Sequence, residues 1–141
     1  MIRTLLLTVG VCCAGAPLSV ERVFVGSLGT TSEAQQIRHA LIEELRHTTF
    51  KVAEAPEAAD ATLTGRAEVW IKGHYSLNPR AREVGEETHP IYGGYLSVEL
   101  RNARNEVLWS YLVTPRRYGP DAISRNLAEQ IVKKLREALR R

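Results

Sequence analysis

Between Ala59 and Trp70 the chain reads ADATLTGRAEVW. Ala61, Leu63, Gly65, Ala67 and Val69 occupy alternate positions, and Thr62, Thr64, Arg66, Glu68 and Trp70 fall between them. A period of two sends successive side chains to opposite faces, so this stretch predicts a strand with one dry and one wet side. The strand runs on to Gly73 and is the longest that the pattern predicts. Upstream, residues 19–28 (SVERVFVGSL) alternate Val23 and Val25 against Arg22, Phe24 and Gly26 and predict a first strand. Gly29 turns the chain, and Thr30 with Glu33 has the spacing of a capping box, in which a hydroxyl and a carboxylate satisfy free N–H groups at a helix start. Ala34, Ile37, Leu41 and Leu45 then recur at helical spacing to about Thr48. Residues 50–54 (FKVAE) predict a short strand and 56–60 (PEAAD) a turn. Residues 74–90 lose periodicity, contain Pro79, Gly85 and Pro90, and predict a long loop. Strands at 91–101 and 106–114 follow as an antiparallel hairpin, because Asn102 and Asn105 tolerate turn dihedrals. Pro115 and Gly119-Pro120 end the sheet. Asp121 is then placed to cap a last helix in which Ile123, Leu127, Ile131, Leu135 and Leu139 form one apolar stripe.

The order β-α-β-β-β-β-α predicts an α+β two-layer sandwich: a mostly antiparallel mixed sheet with two helices on one face. The other face stays open. On it the alternation places Thr62, Thr64, Arg66, Glu68, Trp70 and Lys72, together with Tyr95, Ser97, Glu99 and Arg101 from the strand whose Leu96, Val98 and Leu100 point inward. Strand 106–114 leaves both choices open, since Val107, Trp109, Tyr111 and Val113 alternate with Leu108, Ser110 and Leu112. With Leu108 and Leu112 inward, Trp109 and Tyr111 join Trp70 and Tyr95 in an aromatic patch edged by Arg66, Lys72 and Arg101. Such a patch is a candidate partner-binding surface, because aromatic and Arg side chains dominate interface energetics. Cross-strand aromatic packing is the competing explanation of the same residues. The sheet's edge strands offer a second contact mode, addition of a partner's strand.

The amino terminus departs from this globular pattern. Met1, Ile2 and Arg3 precede an apolar run from Thr4 to Ala16 that closes on Ala14-Gly15-Ala16. The run is shorter than the roughly 20 residues needed to span a bilayer and matches a cleaved signal peptide over 1–16, leaving 17–141 as a single domain. Cys12 and Cys13, the only cysteines, lie inside the run, so cleavage after Ala16 leaves none; the alternative is lipidation of one of them after signal cleavage, which would tether the amino end to a membrane. Val11 before Cys12 departs from the small residue a lipoprotein signal carries there. Export to the periplasm or the outer membrane is the expectation. The net charge of +3, gathered in the last helix and at Arg116-Arg117, reads as a solvated helix face and not as a nucleic-acid surface.

No catalytic residues emerge. A nucleophile elbow is absent, and Gly26-Ser27-Leu28-Gly29 lacks the spacing of a phosphate-binding loop. His74 and His89 flank the 74–90 loop with Glu83, Glu86 and Glu87 between them, which supports a rival reading as a small metal-dependent hydrolase; no metal-ligand motif accompanies them. No cofactor is implied. The phrase carried by Ala59, Asp60, Ala61, Leu63, Thr64 and Gly65, followed by VLWSY and a closing amphipathic helix, resembles small bacterial envelope domains of the TolB amino-terminal, CsgG, penicillin-binding-protein-activator and LptE-like lipoprotein type. That resemblance implies a binding or assembly role without catalysis, toward an envelope protein or polymer or within a homo-oligomer.

Overall fold

In the computed structural model, which describes residues 19–78, 80 and 88–139, the elements follow the predicted order. They are β1 (Arg22–Val25), α1 (Ser32–Arg46), β2 (Lys51–Val52), β3 (Ala61–Ser76), β4 (Thr88–Asn102), β5 (Val107–Val113) and α2 (Pro120–Leu139), with a 3-10 turn at Pro56–Ala58. The sheet has the spatial order β2-β1-β3-β4-β5. β1 lies parallel to β2 and β3, while β3, β4 and β5 form an antiparallel run. The two-layer α+β architecture with a mixed sheet is therefore as expected.

The alternation explains the core. Val23, Val25, Ala61, Leu63, Leu96, Val98 and Leu100 leave the sheet on one side and are fully or almost fully buried against Ile37, Leu41 and Leu45 of α1 and Leu127, Ile131 and Leu135 of α2. Each large side chain on that face contributes about 1.5–3 kcal/mol by leaving water.

Three local expectations need correction. The cap of α1 is Thr31, not Thr30: its Oγ1 accepts the Ala34 N–H at 3.1 Å, which leaves Glu33 inside the first turn, where its charge complements the helix dipole. α2 begins at Pro120, and the Gly119 carbonyl accepts the N–H groups of Ala122 and Ile123. Asp121 thus sits within the first turn, since proline is preorganised for the first helical position. Most of the change concerns the 74–90 loop. β3 runs on to Ser76 and β4 starts at Thr88, with His74 opposite Pro90 and Tyr75 opposite His89. A bulge at Lys72, between Ile71 and Gly73, shifts the phase of the alternation and hides the continuation.

The β4–β5 turn behaves as expected. Asn105 takes a left-handed φ of 63°, and the Asn102 Oδ1 accepts the N–H groups of Arg104 and Glu106, each at 3.0 Å.

Asp60 joins β1 to the head of β3. Its Oδ2 accepts the N–H groups of Glu21 at 3.0 Å and Arg22 at 2.9 Å, and its own N–H donates to the Arg22 carbonyl at 2.9 Å. The two backbone donors, Arg22 first, hold this carboxyl below its usual 3.8. Because the folded pKa is depressed, the stabilising contribution is complete above the unfolded value and fades as pH falls through the folded one. Asp60→Asn is therefore expected to unfold at lower urea than the parent protein at pH 7, with the two midpoints converging below pH 3.8. A gap that stays constant down to acid unfolding would remove the carboxylate from this role.

Candidate functional site

Register settles which residues share the open face. Across β3 and β4 the pairs are Thr62 with Arg101, Thr64 with Glu99, Arg66 with Ser97, Glu68 with Tyr95 and Trp70 with Gly93. The charges on this face are neutralised along each strand. Arg66 Nη2 lies 2.5 Å from Glu68 Oε1, and Arg101 donates to Glu99 Oε2 from Nε at 3.1 Å and Nη2 at 2.7 Å. The Glu68 carboxylate, through hydrogen bond and charge, raises the already high pKa of Arg66. Arg101 also donates to the Asn105 carbonyl at 3.0 Å and stands at the far end of the face, in a shallow depression of about 550 Å³ shared with Thr62, Thr64 and Glu57.

Trp70 has a structural reason for its place. Its indole lies across Gly93, where an added Cβ would stand 2.9 Å from Nε1, and its ring meets Tyr95 at 6.4 Å with a tilt of 58°. An aromatic ring over a glycine on the neighbouring strand covers backbone that would otherwise be bare. The indole is nevertheless 48% exposed.

Beyond this point the sheet narrows. β1 accompanies β3 only through Leu63, extended by backbone bonds from Gly65 to Ser27 and from Ala67 to Leu28, and β5 accompanies β4 only from Leu96 onward. Residues 68–76 and 88–95 therefore continue as a two-stranded ribbon with no third strand among the described residues. On its helix side Val69 and Tyr92 pack against the core, and the Tyr92 N–H donates to the Tyr118 carbonyl at 3.2 Å. Farther out Trp70, Ile71, Tyr75 and Leu77 are about half exposed or more, with Tyr75 resting on His89 at 5.3 Å.

No protein-family model matches the chain, and no curated protein matches it in sequence. Solved structures do. The PelC dodecamer from Paraburkholderia phytofirmans superposes with a TM-score of 0.57 at 18% identity, covering 82% of this chain and 86% of that one. A minor lipoprotein from Acinetobacter baumannii superposes with a TM-score of 0.50 at 12% identity, covering 87% of this chain and 92% of that one. The fold is one that a bacterial minor lipoprotein also adopts.

The structure divides the sequence-predicted aromatic patch. Trp109 stands opposite Leu100 and Tyr111 opposite Val98, so both point to the helix side with the core residues of β4. Trp109 packs against the core, the two rings stack at 5.9 Å, and Lys134 of α2 sits over Tyr111 at 5.9 Å from the ring centre. Ser110 and Leu112 take the open face, opposite Glu99 and Ser97. Trp70, Tyr95 and Arg66 stay together, Arg101 lies at the other end, and Lys72 is the unpaired residue of the bulge.

His74 and His89 fall in adjacent rungs of the ribbon, so their side chains leave opposite faces and do not converge. Glu83, Glu86 and Glu87 lie outside the described residues, as do Cys12, Cys13 and the predicted signal segment. Among the described residues no three His, Cys, Asp or Glu side chains group as metal ligands. Sequence reasoning missed Ile71, Tyr75 and Leu77. The available signal was the complementarity of WIKGHYS with HPIYGG, two short apolar-aromatic stretches flanking the polar segment between them.

Proposed function

We propose that the protein is a non-enzymatic assembly component of the bacterial envelope whose copies associate through the 68–76/88–95 ribbon. The observation that carries this reading is the concentration of Trp70, Ile71, Tyr75 and Leu77 on a projection supported by no third strand among the described residues. Exposed apolar clusters of this kind mark contact surfaces, and Trp and Tyr are the side chains that dominate such contacts. Support also comes from the fold shared with a PelC dodecamer and with a minor lipoprotein. The ADATLTG phrase, with its likeness to TolB-type, CsgG and LptE-like envelope domains, points the same way. Export rests on the apolar segment that ends at Ala14-Gly15-Ala16, with a tether through Cys12 or Cys13 as the alternative to cleavage after Ala16.

Light scattering of the purified protein tests the reading. The parent chain is expected to give a concentration-dependent oligomer, and Trp70→Ala with Tyr75→Ser to give a folded monomer. Each residue is about half exposed, so the pair should lower folding stability by only about 1–2 kcal/mol. A parent chain that stays monomeric near millimolar concentration, or a double variant that assembles as the parent does, would refute it.

A further inference from the structure

The outer side of β5 is the long free edge of the sheet among the described residues. The opposite edge, β2, is the two-residue strand Lys51–Val52 and leads directly to the turn at Pro56. It offers almost no ladder. β5 reads VLWSYLV, without charge, proline or glycine, and the N–H and C=O groups on its outer side meet no other strand among the described residues. Natural sheets protect such edges with lysine, proline or a covering loop, because an uncharged β-prone edge pairs readily with another chain. Here Leu112 is 59% and Val107 49% exposed beside it.

The surroundings of the edge select its occupant. On the helix side Tyr111, Arg116, Gln130, Lys133 and Lys134 line a pocket of about 260 Å³ between β5 and α2. Among the described residues Arg46 pairs with Glu43, Arg66 with Glu68 and Arg101 with Glu99, and other cations such as Lys51 and Lys72 have no carboxylate partner, so what marks this pocket is that its cations converge beside a free edge. In the pocket Lys134 reaches Glu137 at 3.2 Å, but the side chains of Arg116 and Lys133 have no carboxylate partner among the described residues. The backbone bordering the pocket is held: Asn126 Oδ1 accepts the Arg116 N–H at 2.7 Å and the Gln130 amide at 3.0 Å, and Gln130 also donates to the Thr114 carbonyl at 2.9 Å. Arg116 is therefore held at its backbone, facing α2 at the end of an open edge.

We propose that β5 takes an extended acidic segment of a partner protein as an added strand, with carboxylates entering the Arg116–Lys133–Lys134 pocket and apolar side chains lying along Leu112. Strand addition supplies affinity through main-chain hydrogen bonds and specificity through alternate side chains. The period of two sends every second side chain of the added strand to the helix side, where the cations are, and the others to the open side, where Leu112 is exposed. A second copy of β5 is the poorer match in charge. Pairing of two β5 strands antiparallel about Ser110 sets Arg116 of one copy beside Arg104 of the other, and the one carboxylate next to the strand, Glu106, already accepts from the Asn102 amide at 3.1 Å, so a copy brings one engaged acid to three cations. This surface is separate from the ribbon, so the two assignments stand or fall independently.

The test uses a blocked heptapeptide alternating valine with glutamate, its lysine-for-glutamate counterpart, and NMR titration of the full protein with amide exchange. The glutamate peptide is expected to bind saturably, to shift Thr114, Arg116 and Lys133, and to slow alternate β5 amides at least about tenfold. The lysine peptide should bind at least about tenfold more weakly, and Arg116→Glu with Lys133→Glu should invert that preference. Both side chains belong to exposed residues, so the variant keeps the fold. The proposal is overturned by no binding at millimolar peptide, by equal binding of both peptides, by shifts confined to other surfaces, or by shifts at the cations without slowed β5 amides.

Discussion

Gly65→Ala is expected to cost about 3 kcal/mol or more of folding stability, the penalty of forcing an atom into packed backbone. Gly65 pairs with Val98 on β4 and donates its N–H to the Ser27 carbonyl at 3.3 Å on the other side of β3. A Cβ at this position would stand 1.9 Å from the Ser97 carbonyl oxygen and 2.9 Å from both the Ser97 carbonyl carbon and the Val98 Cα. These are main-chain atoms, so no rotamer change relieves the clash. Only separation of β3 from β4 does. β3 is the middle strand of five, flanked by β1 and β4, and opening its ladder loosens the residues above and below that feed the core. With a urea dependence of about 1–3 kcal/mol per molar for a small domain, the unfolding midpoint should fall by about 1–3 M. A midpoint within about 0.3 M of the parent's would show that the strands are not so closely apposed at this rung.

The same residue shows what the sequence makes legible. ADATLTG reads as a strand from its alternation alone, yet two of its residues answer to longer-range demands. Asp60 ties the backbone at Glu21 and Arg22, and Gly65 admits the β4 backbone. Neither demand has a period, so pattern reading finds the strand and passes over the reasons for these two residues. The helices were legible because their apolar stripes have one solution: Ile37, Leu41 and Leu45 on α1, and Leu127, Ile131 and Leu135 on α2, are all buried. The ribbon was not, because the bulge at Lys72 changes the phase and Pro90 resembles a loop signal. Proline at that rung is tolerated because β4 has only one neighbour there among the described residues, so one side of its backbone needs no ladder donor. The candidate site suffered most from β5, where VLWSYLV is apolar on both sides and periodicity offers no preference. Its direction follows from pairing with β4, which is tertiary information.

That pairing makes the two tryptophans opposites. Trp109→Ala is expected to cost about 2–4 kcal/mol, toward the lower end of what removing a large aromatic from a core costs, since the ring is only half-buried. It stands opposite Leu100, packs against the buried cluster, and braces Tyr111 through a nearly parallel stack, with an interplanar angle of 3°. Removing it opens a void between β5 and α2 and exposes the edge of the core. Trp70→Ala should cost about 1 kcal/mol or less, because what is lost is a cross-strand contact with Tyr95 and cover over Gly93 on a face already wet. Both are to be measured by urea unfolding at concentrations where the chain is monomeric, since association adds to apparent stability. The comparison discriminates between registers. Were Ser110 and Leu112 turned toward the helices, Trp109 would lie on the open face beside Trp70, and the two substitutions would cost about the same. A Trp109→Ala variant as stable as Trp70→Ala would therefore overturn the pairing of β5 with β4. The expected inequality assigns Trp109 to folding and leaves Trp70, whose loss the fold tolerates, free to serve association.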